Sequence, residues 1–246
     1  MGFQHSSTPT LQYSAGGDSA MIVAYRKNIQ ELKTALAEHK RILVLGCGTC
    51  VTVCLAGGER EVGMISSALR IAFRLDGQEH EVLEATIERQ CENQFIEDAL
   101  KEIQEADAVL SLACGAGVQA IAERFPAKPV YAGVDTKFIG VLQEQGVWTE
   151  KCIACGKCVL GSYGAVCPLT RCAKGQLSGP CGGARDGKCE VSPDVDCGWQ
   201  LIYDRLKALD RLDLLLDPAP LTDWSQSHEG GCRKLVREDQ RIKVEV

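Results

Sequence analysis

Cysteines crowd into one short part of this chain and limit how that part can fold. Eight of the fourteen cysteines lie in residues 152–197, and they are Cys152, Cys155, Cys158, Cys167, Cys172, Cys181, Cys189 and Cys197. The same segment is rich in glycine and in turn pairs such as SG, GP and DG, and it has little hydrophobic periodicity. A segment of this kind buries too little apolar surface to fold alone, so we predict that bound metal organises it.

The stretch KCIACGKCVLGSYGAVCP, residues 151–168, contains a C-x2-C-x2-C pattern and ends in a cysteine–proline pair. Bacterial ferredoxins use these motifs, because a short curled loop can place three thiolates on three irons of one cubane. A single zinc ion is usually held by two separate C-x2-C pairs at longer spacing. Cys158 and Cys167 are nine positions apart. The ferredoxin pattern has about four, so the fourth ligand stays open.

Eight cysteines make two sets of four, and we predict two [4Fe–4S] clusters in residues 152–197. One cluster with one zinc ion is the alternative. The C-x2-C-x2-C cysteines belong to one set, whereas the spacing does not divide the remaining five between the sets. Two neighbouring clusters would form an electron relay, which predicts that this region carries electrons between partners.

Strand and helix patterns alternate in the first part of the chain. Apolar runs at RILVLG, VLEATI, DAVLSLA and KPVYAGV indicate buried strands. Helical patterns are expected over about 59–73, 92–104 and 117–125. MIVAYRKNIQELKTALAEH indicates a short extended piece and then a helix with Ile29, Leu32 and Leu36 on one face. The alternation predicts an α/β fold, a parallel-sheet domain of the Rossmann or flavodoxin-like type over residues 21–148.

Cysteines also stand where the predicted strands end. Cys47 follows RILVLG, Cys91 follows VLEATI by a few residues, and Cys114 ends DAVLSLA. Because the carboxyl ends of parallel strands share one edge of a sheet, and ligands bind beyond that edge, we expect these thiols to gather there.

A second metal motif, GCGTCVTVC, supplies Cys47, Cys50 and Cys54 at a strand-to-helix turn. Gly46 and Gly48 permit a tight turn and the approach of a bulky group, and the helix N-terminus offers N–H groups to an anionic cluster. We predict an iron–sulfur cluster, with zinc or structural and redox thiols as alternatives. The fourth ligand is Cys91 or Cys114. A dinucleotide loop is disfavoured because G-x-G-x-x-G is absent.

Other parts of the sequence complete the organisation. Residues 1–20 lack the charged and apolar regions of a secretory signal. They are expected to be a disordered leader, with Met21 as an alternative start. Residues 149–224 form the irregular cysteine-rich metal-binding domain. They end in a C-terminal amphipathic helix over 197–217, with Leu201, Leu206, Leu209 and Leu212 on its apolar side, and 225–246 are a polar tail.

Charge and cysteine usage exclude some classes of protein. The net charge of −6 argues against a nucleic-acid binder, and no apolar run approaches the length of a membrane span. Fourteen cysteines without a signal peptide predict a cytoplasmic protein with reduced thiols, in which clustered cysteines hold metal more often than they form disulfides. No G-x-S-x-G motif is present, and the histidines have no ligand spacing.

Several ordered motifs resemble a known family. GCGTCVTVCLAGGEREV, ERQCE, CIACGKCVL, CPLTRCAKGQLSGPCGG, GKCEV and CGWQLIYDRLK are similar to the small iron–sulfur partner subunit of bacterial methylenetetrahydrofolate reductases. The same region occurs as a family called the methylenetetrahydrofolate reductase C-terminal domain. The resemblance runs from about residue 21 to residue 224.

The resemblance implies a subunit that binds the flavin-containing catalytic subunit and supplies it with electrons for reducing methylene- to methyl-tetrahydrofolate, as in acetogens. Larger assemblies with electron-bifurcating or heterodisulfide-reductase-like modules are also implied. The implied cluster ligands are Cys47, Cys50, Cys54 and one of Cys91 or Cys114, together with the eight later cysteines. The family is also described as zinc-binding. Folate-binding catalytic residues belong to the partner.

Two other functions compete with electron transfer. One is a zinc-stapled scaffold that stabilises the flavoprotein subunit without redox activity. The other is an autonomous enzyme with its own flavin or folate site on the α/β domain, for which the sequence contains no motif.

Overall fold

A computed structural model describes residues 22–216, 222–237 and 239 of the chain. The predicted leader, residues 1–20, lies outside these ranges, as does the end of the predicted polar tail.

A four-stranded parallel sheet forms the centre of the first half. Its strands are β2 (Arg41–Cys47), β3 (Glu81–Ile87), β4 (Ala108–Ser111) and β5 (Val130–Ala132), in the order β3-β2-β4-β5. Strand β2 pairs with β3 on one side and with β4 on the other. The apolar run of β2 is buried along its length because both faces of the sheet are covered. The predicted α/β fold is confirmed.

Helices cover the two faces of this sheet. They are α1 (Ile29–Leu36), the four-residue α2 (Cys50–Val53), α3 (Glu59–Leu75), α4 (Asn93–Ile96), α5 (Leu100–Glu105) and α6 (Gly115–Arg124). Leu36, Leu69 and Phe73 pack on one face, and Ile103 and Ile121 on the other. The helix expected over 92–104 is divided, because a 3-10 turn at Glu97–Ala99 separates α4 from α5.

A second sheet was not anticipated from the sequence. Strand β1 (Ile22–Arg26) pairs antiparallel with β6 (Val134–Glu144), which forms a hairpin with β7 (Val147–Cys152). The hairpin carries the chain from the α/β part into the cysteine-rich part. Strand β6 also contacts the parallel-sheet part, because the Gly115 N–H donates a 2.9 Å hydrogen bond to Thr136 Oγ1.

The cysteine-rich part contains short elements. They are a 3-10 turn (Leu160–Tyr163), α7 (Pro168–Arg171), β8 (Lys188–Cys189), β9 (Ser192–Asp196) and α8 (Gly198–Ala208), with later 3-10 turns at Leu212–Leu215, Trp224–Gln226 and His228–Gly230. Its own core is small and consists of Tyr163, Trp199, Ile202 and Leu206, with half-buried neighbours around them.

The expected helix over 197–217 is too long, because α8 ends at Ala208 and Asp210 adopts a φ of +54°. Its predicted apolar face is partly wrong as well. Leu206 is buried, but Leu209 is 44% exposed, and Leu212 lies in a 3-10 turn beyond the helix. Within the described ranges, no helix is both long and apolar enough to cross a membrane.

Candidate functional site

Four thiols lie at the carboxyl edge of the parallel sheet. Cys47 is the last residue of β2, Cys91 stands four residues after β3, and Cys114 caps the N-terminus of α6 just beyond β4. Cys50, the first residue of α2, follows Cys47 by one tight turn. We call these four residues the edge thiols.

Cys47 is fixed by backbone contacts to neighbouring segments. Its N–H donates to the Gly57 carbonyl at 2.9 Å, and its Sγ lies 3.8 Å from the Glu88 carbonyl oxygen. Gly48 N–H donates to the carbonyls of Ile87 and Glu88, at 2.9 and 3.1 Å. The turn after β2 is therefore bound to the end of β3.

The two glycines of this turn have different surroundings. A Cβ at Gly46 would lie 2.6 Å from both Thr86 Oγ1 and Val62 Cγ2, so close packing of side chains requires glycine there. A Cβ at Gly48 would meet the Glu88 backbone at 3.5 Å, which is ordinary contact. Both close contacts at Gly46 are therefore with side chains of the protein itself.

Cys54 points away from the edge thiols. It is 5% exposed, and its Sγ accepts from the Ala24 N–H at 3.4 Å and lies 3.7 Å from the Ile22 carbonyl. Both contacts belong to β1, on the core side of α2. Burial raises the pKa of the Cys54 thiol.

Burial and neighbouring thiolates both raise the pKa of the Cys91 thiol. Loss of solvent around its thiol raises its pKa, and negative charge on Cys114, Cys47 and Cys50 raises that pKa further. Cys91 and Cys114, the two alternatives for a fourth ligand, follow β3 and β4, the strands on either side of β2. Both therefore stand at the sheet edge where β2 ends with Cys47.

The C-x2-C-x2-C motif begins in β7 and continues as a curled loop. Cys152 ends β7, and the backbone then turns through φ values of +52° at Ala154 and +93° at Gly156. The Ala154 N–H donates to Cys152 Sγ at 3.3 Å, and Cys155 Sγ lies 3.6 Å from the Lys157 carbonyl oxygen. Backbone N–H donors to sulfur stabilise thiolates and cluster ligands.

Cys167, Cys172 and Cys197 stand at the ends of two short helices. Cys167 precedes α7, with Pro168 as the first helical residue, and Cys172 follows it. Cys197 precedes α8. Helix α7 lies against the end of β7, because Thr170 Oγ1 donates to the Lys151 carbonyl at 3.3 Å. Residues 167–172 therefore adjoin the end of the strand that contains Cys152.

Cys181 and Cys189 occupy a loop and a short hairpin. The Gly183 N–H donates to Cys181 Sγ at 3.5 Å. Cys189 lies in β8 and pairs with Ser192 of β9. The adjacent Glu190 forms an ion pair with Lys174, two residues after Cys172. That ion pair ties the hairpin to the α7 region.

Two features near these cysteines were not predicted from the sequence. Gln90, directly before Cys91, is a fully buried polar residue in the midst of exposed ones. The C-terminal segment, residues 222–237, contacts the C-x2-C-x2-C loop through a 2.6 Å hydrogen bond from Arg233 Nη1 to the Ala154 carbonyl. This contact brings the segment that contains Cys232 towards the loop, although no motif predicted it.

All fourteen cysteines lie in the described residues, and no disulfide joins any of them. In the same part of the chain, no group of three or more Cys, His, Asp or Glu side chains has the geometry of a metal site. The donor set fits an iron–sulfur cluster or zinc in chemistry, because thiolates are the preferred ligands of both.

Comparison with known proteins gives one match. Residues 131–225 match a protein-family model described as Methylene-tetrahydrofolate reductase C terminal. The matched range contains all eight cysteines of residues 152–197, whereas the edge thiols precede it. No curated protein matches the chain, and no solved structure matches it.

Proposed function

We propose that this chain is an iron–sulfur electron-transfer subunit that passes electrons to the flavin-containing catalytic subunit of a methylenetetrahydrofolate reductase complex. The family match over residues 131–225 carries the proposal, because it contains the whole cysteine-rich part. A cytoplasmic setting, in which thiols stay reduced, suits this cysteine content. Input modules of the heterodisulfide-reductase type would supply the electrons.

The cysteine-rich part is proposed to hold two [4Fe–4S] clusters on its eight cysteines. Such clusters supply one-electron transfer when bound. Four buried residues make up the core of this part. A core of that size cannot fix the long connections between α7, the β8–β9 hairpin and α8, so bound metal would have to stabilise them.

Exposure of the loop supports exchange of electrons with a partner. Cys152 and Cys158 are exposed, and Ile153 between them presents an exposed apolar side chain. Exposed apolar residues at a surface suit contact with another protein. We propose that this loop faces the flavoprotein subunit.

The test uses the full chain purified anaerobically together with its flavoprotein partner. Iron, sulfide and zinc are measured on the same sample, and the reduced protein is examined by low-temperature EPR. The rate at which the partner's flavin is reduced is then compared for wild type, Cys155→Ser and Cys232→Ser. Cys232 lies outside the matched residues and serves as the control.

We expect Cys155→Ser to abolish flavin reduction while the complex stays intact, and Cys232→Ser to retain the wild-type rate. A colourless protein that contains zinc and no iron would contradict electron transfer and would favour the zinc-stapled scaffold. Unchanged electron transfer in Cys155→Ser would show that electrons do not pass through this motif.

A further inference from the structure

The side-chain amide of Gln90 is hydrogen-bonded to the two central strands, β2 and β4. Its side chain is fully buried. Its Nε2 donates to the carbonyls of Leu45 and Gly46, at 2.8 and 3.0 Å, and its Oε1 accepts a 2.6 Å hydrogen bond from Ser111 Oγ. Three hydrogen bonds on one buried amide fix its orientation.

Each of these contacts is one to three residues from an edge thiol. Gly46 directly precedes Cys47, and Gln90 itself directly precedes Cys91. Ser111 Oγ also accepts from the Ala113 N–H at 3.3 Å, and Ala113 directly precedes Cys114. A single side chain therefore connects the three backbone segments that carry these thiols.

The first turn of α6 is shaped to admit Gln90. A Cβ at Gly117 would lie 2.9 Å from the Gln90 Cβ and 2.6 Å from the Ala113 Cβ. Glycine at this position thus leaves room for Gln90 beside the helix that Cys114 caps. Cys54 takes no part in this network, since its Sγ contacts lie in β1 and α2.

We infer that Gln90 is the positioning residue of a thiolate metal site made by the four edge thiols, with Cys54 outside it. The inference deepens the proposed function and rests on it for the occupant, an iron–sulfur cluster or zinc. Gln90 binds no metal itself; it holds the loop after β3 against the ends of β2 and β4, so that the segment with Cys91 lies beside those with Cys47 and Cys114.

The first test is Gln90→Met, which keeps the length of the side chain and removes all three hydrogen bonds. Its matched control is Gln94→Met, the same change at an exposed position four residues later. We expect Gln90→Met to lose the metal of one site and its spectroscopic signature, while the metal of residues 152–197 is retained as an internal reference. Gln94→Met should keep both.

A second measurement does not depend on metal. The full chain is treated with dibromobimane, which joins neighbouring thiols, as purified and after extraction with a chelator, and the joined cysteines are identified by peptide mapping. We expect a Cys91–Cys114 link in the extracted wild-type chain and its loss in Gln90→Met. If the wild type forms the link equally before and after extraction, the site holds no metal and only the proposed occupant fails.

The remaining outcomes decide the inference. Retention of metal and of the link in Gln90→Met would overturn the role of Gln90. If that variant does not fold, Ser111→Ala removes one of the three hydrogen bonds and should lower the yield of the link. Cys54→Ala should keep the metal that Cys114→Ala loses, and the reverse result would overturn the ligand set.

Discussion

The backbone of Gly198, the first residue of α8, lies directly on the backbone of Arg171 at the end of α7. A Cβ at residue 198 would be 2.5 Å from the Arg171 carbonyl carbon and 2.8 Å from the Cys172 nitrogen. Because Cys197 adjoins Gly198, this close approach brings the segments that contain Cys172 and Cys197 together. Glycine is required here for proximity of two helix ends, not for an unusual φ.

Gly198→Ala should therefore separate the two helix ends. Overpacking against backbone costs roughly 1–3 kcal/mol, and we expect the free energy of unfolding to fall by that amount. Gly161→Ala is the control, because a Cβ there meets nothing within 4 Å; its effect should stay within about 0.5 kcal/mol. Denaturant unfolding of both variants measures the difference, and equal effects would contradict the proposed contact.

Gly156→Ala should release the C-terminal segment from the C-x2-C-x2-C loop. A Cβ at Gly156 would lie 2.0 Å from the Gln226 carbonyl oxygen, whereas Gly146 has open space and nearly the same φ, +91° against +93°. Both substitutions force alanine into the left-handed region at a cost of roughly 1–2 kcal/mol. Only Gly156→Ala should increase hydrogen exchange in residues 222–237, and an increase of equal size in Gly146→Ala would rule out a specific contact.

Two tryptophans should respond differently to replacement by phenylalanine. Trp199 Nε1 donates to the Gln176 carbonyl at 2.9 Å, so Trp199→Phe should lower the free energy of unfolding by about 0.5–1.5 kcal/mol for the lost hydrogen bond. Trp148 Nε1 is buried and has no hydrogen-bond partner, so Trp148→Phe removes an unsatisfied donor and should be neutral or stabilising. Thermal unfolding of the two variants measures the change in stability that each substitution causes.

Cys54 should make the stability of the fold depend on alkaline pH. Burial raises the pKa of its thiol above the ordinary value of 9.0, so the unfolded chain loses this proton at lower pH than the folded chain. The contribution is complete below pH 9.0 and is lost as pH rises through the higher pKa of the folded state. The free energy of unfolding should decline more steeply with rising pH for wild type than for Cys54→Ala. Equal slopes in the two proteins would contradict the prediction.

The sequence predicted the parallel sheet well because its strands are short, apolar and separated by clear helical patterns. It did not predict the antiparallel sheet. Strand β6 contains Gly140, where a Cβ would lie 2.5 Å from the Thr149 carbonyl oxygen, and its pairing with β7 is irregular on both sides of that region. A strand interrupted in this way has no regular alternation of apolar and polar residues.

The edge thiols were only partly foreseeable. The spacing of GCGTCVTVC groups Cys54 with Cys47 and Cys50. However, α2 is a single turn, and Cys54, the residue directly after it, contacts β1. Spacing does not give the direction of a side chain beyond so short a helix. Gln90 belongs to no motif, and its importance depends on hydrogen bonds to residues 21 to 45 positions away in the chain.

Strand β6 limits how the edge thiols and the cysteines of residues 152–197 can move relative to each other. At one point its Thr136 accepts the hydrogen bond from Gly115, next to Cys114, and three residues later its Ile139 pairs with Cys152. That separation is about 10 Å along the strand. A hydrogen-bonded strand, rather than a linker, spans the interval. Movement of one group relative to the other would therefore require the Gly115–Thr136 hydrogen bond to break or β6 to separate from β7.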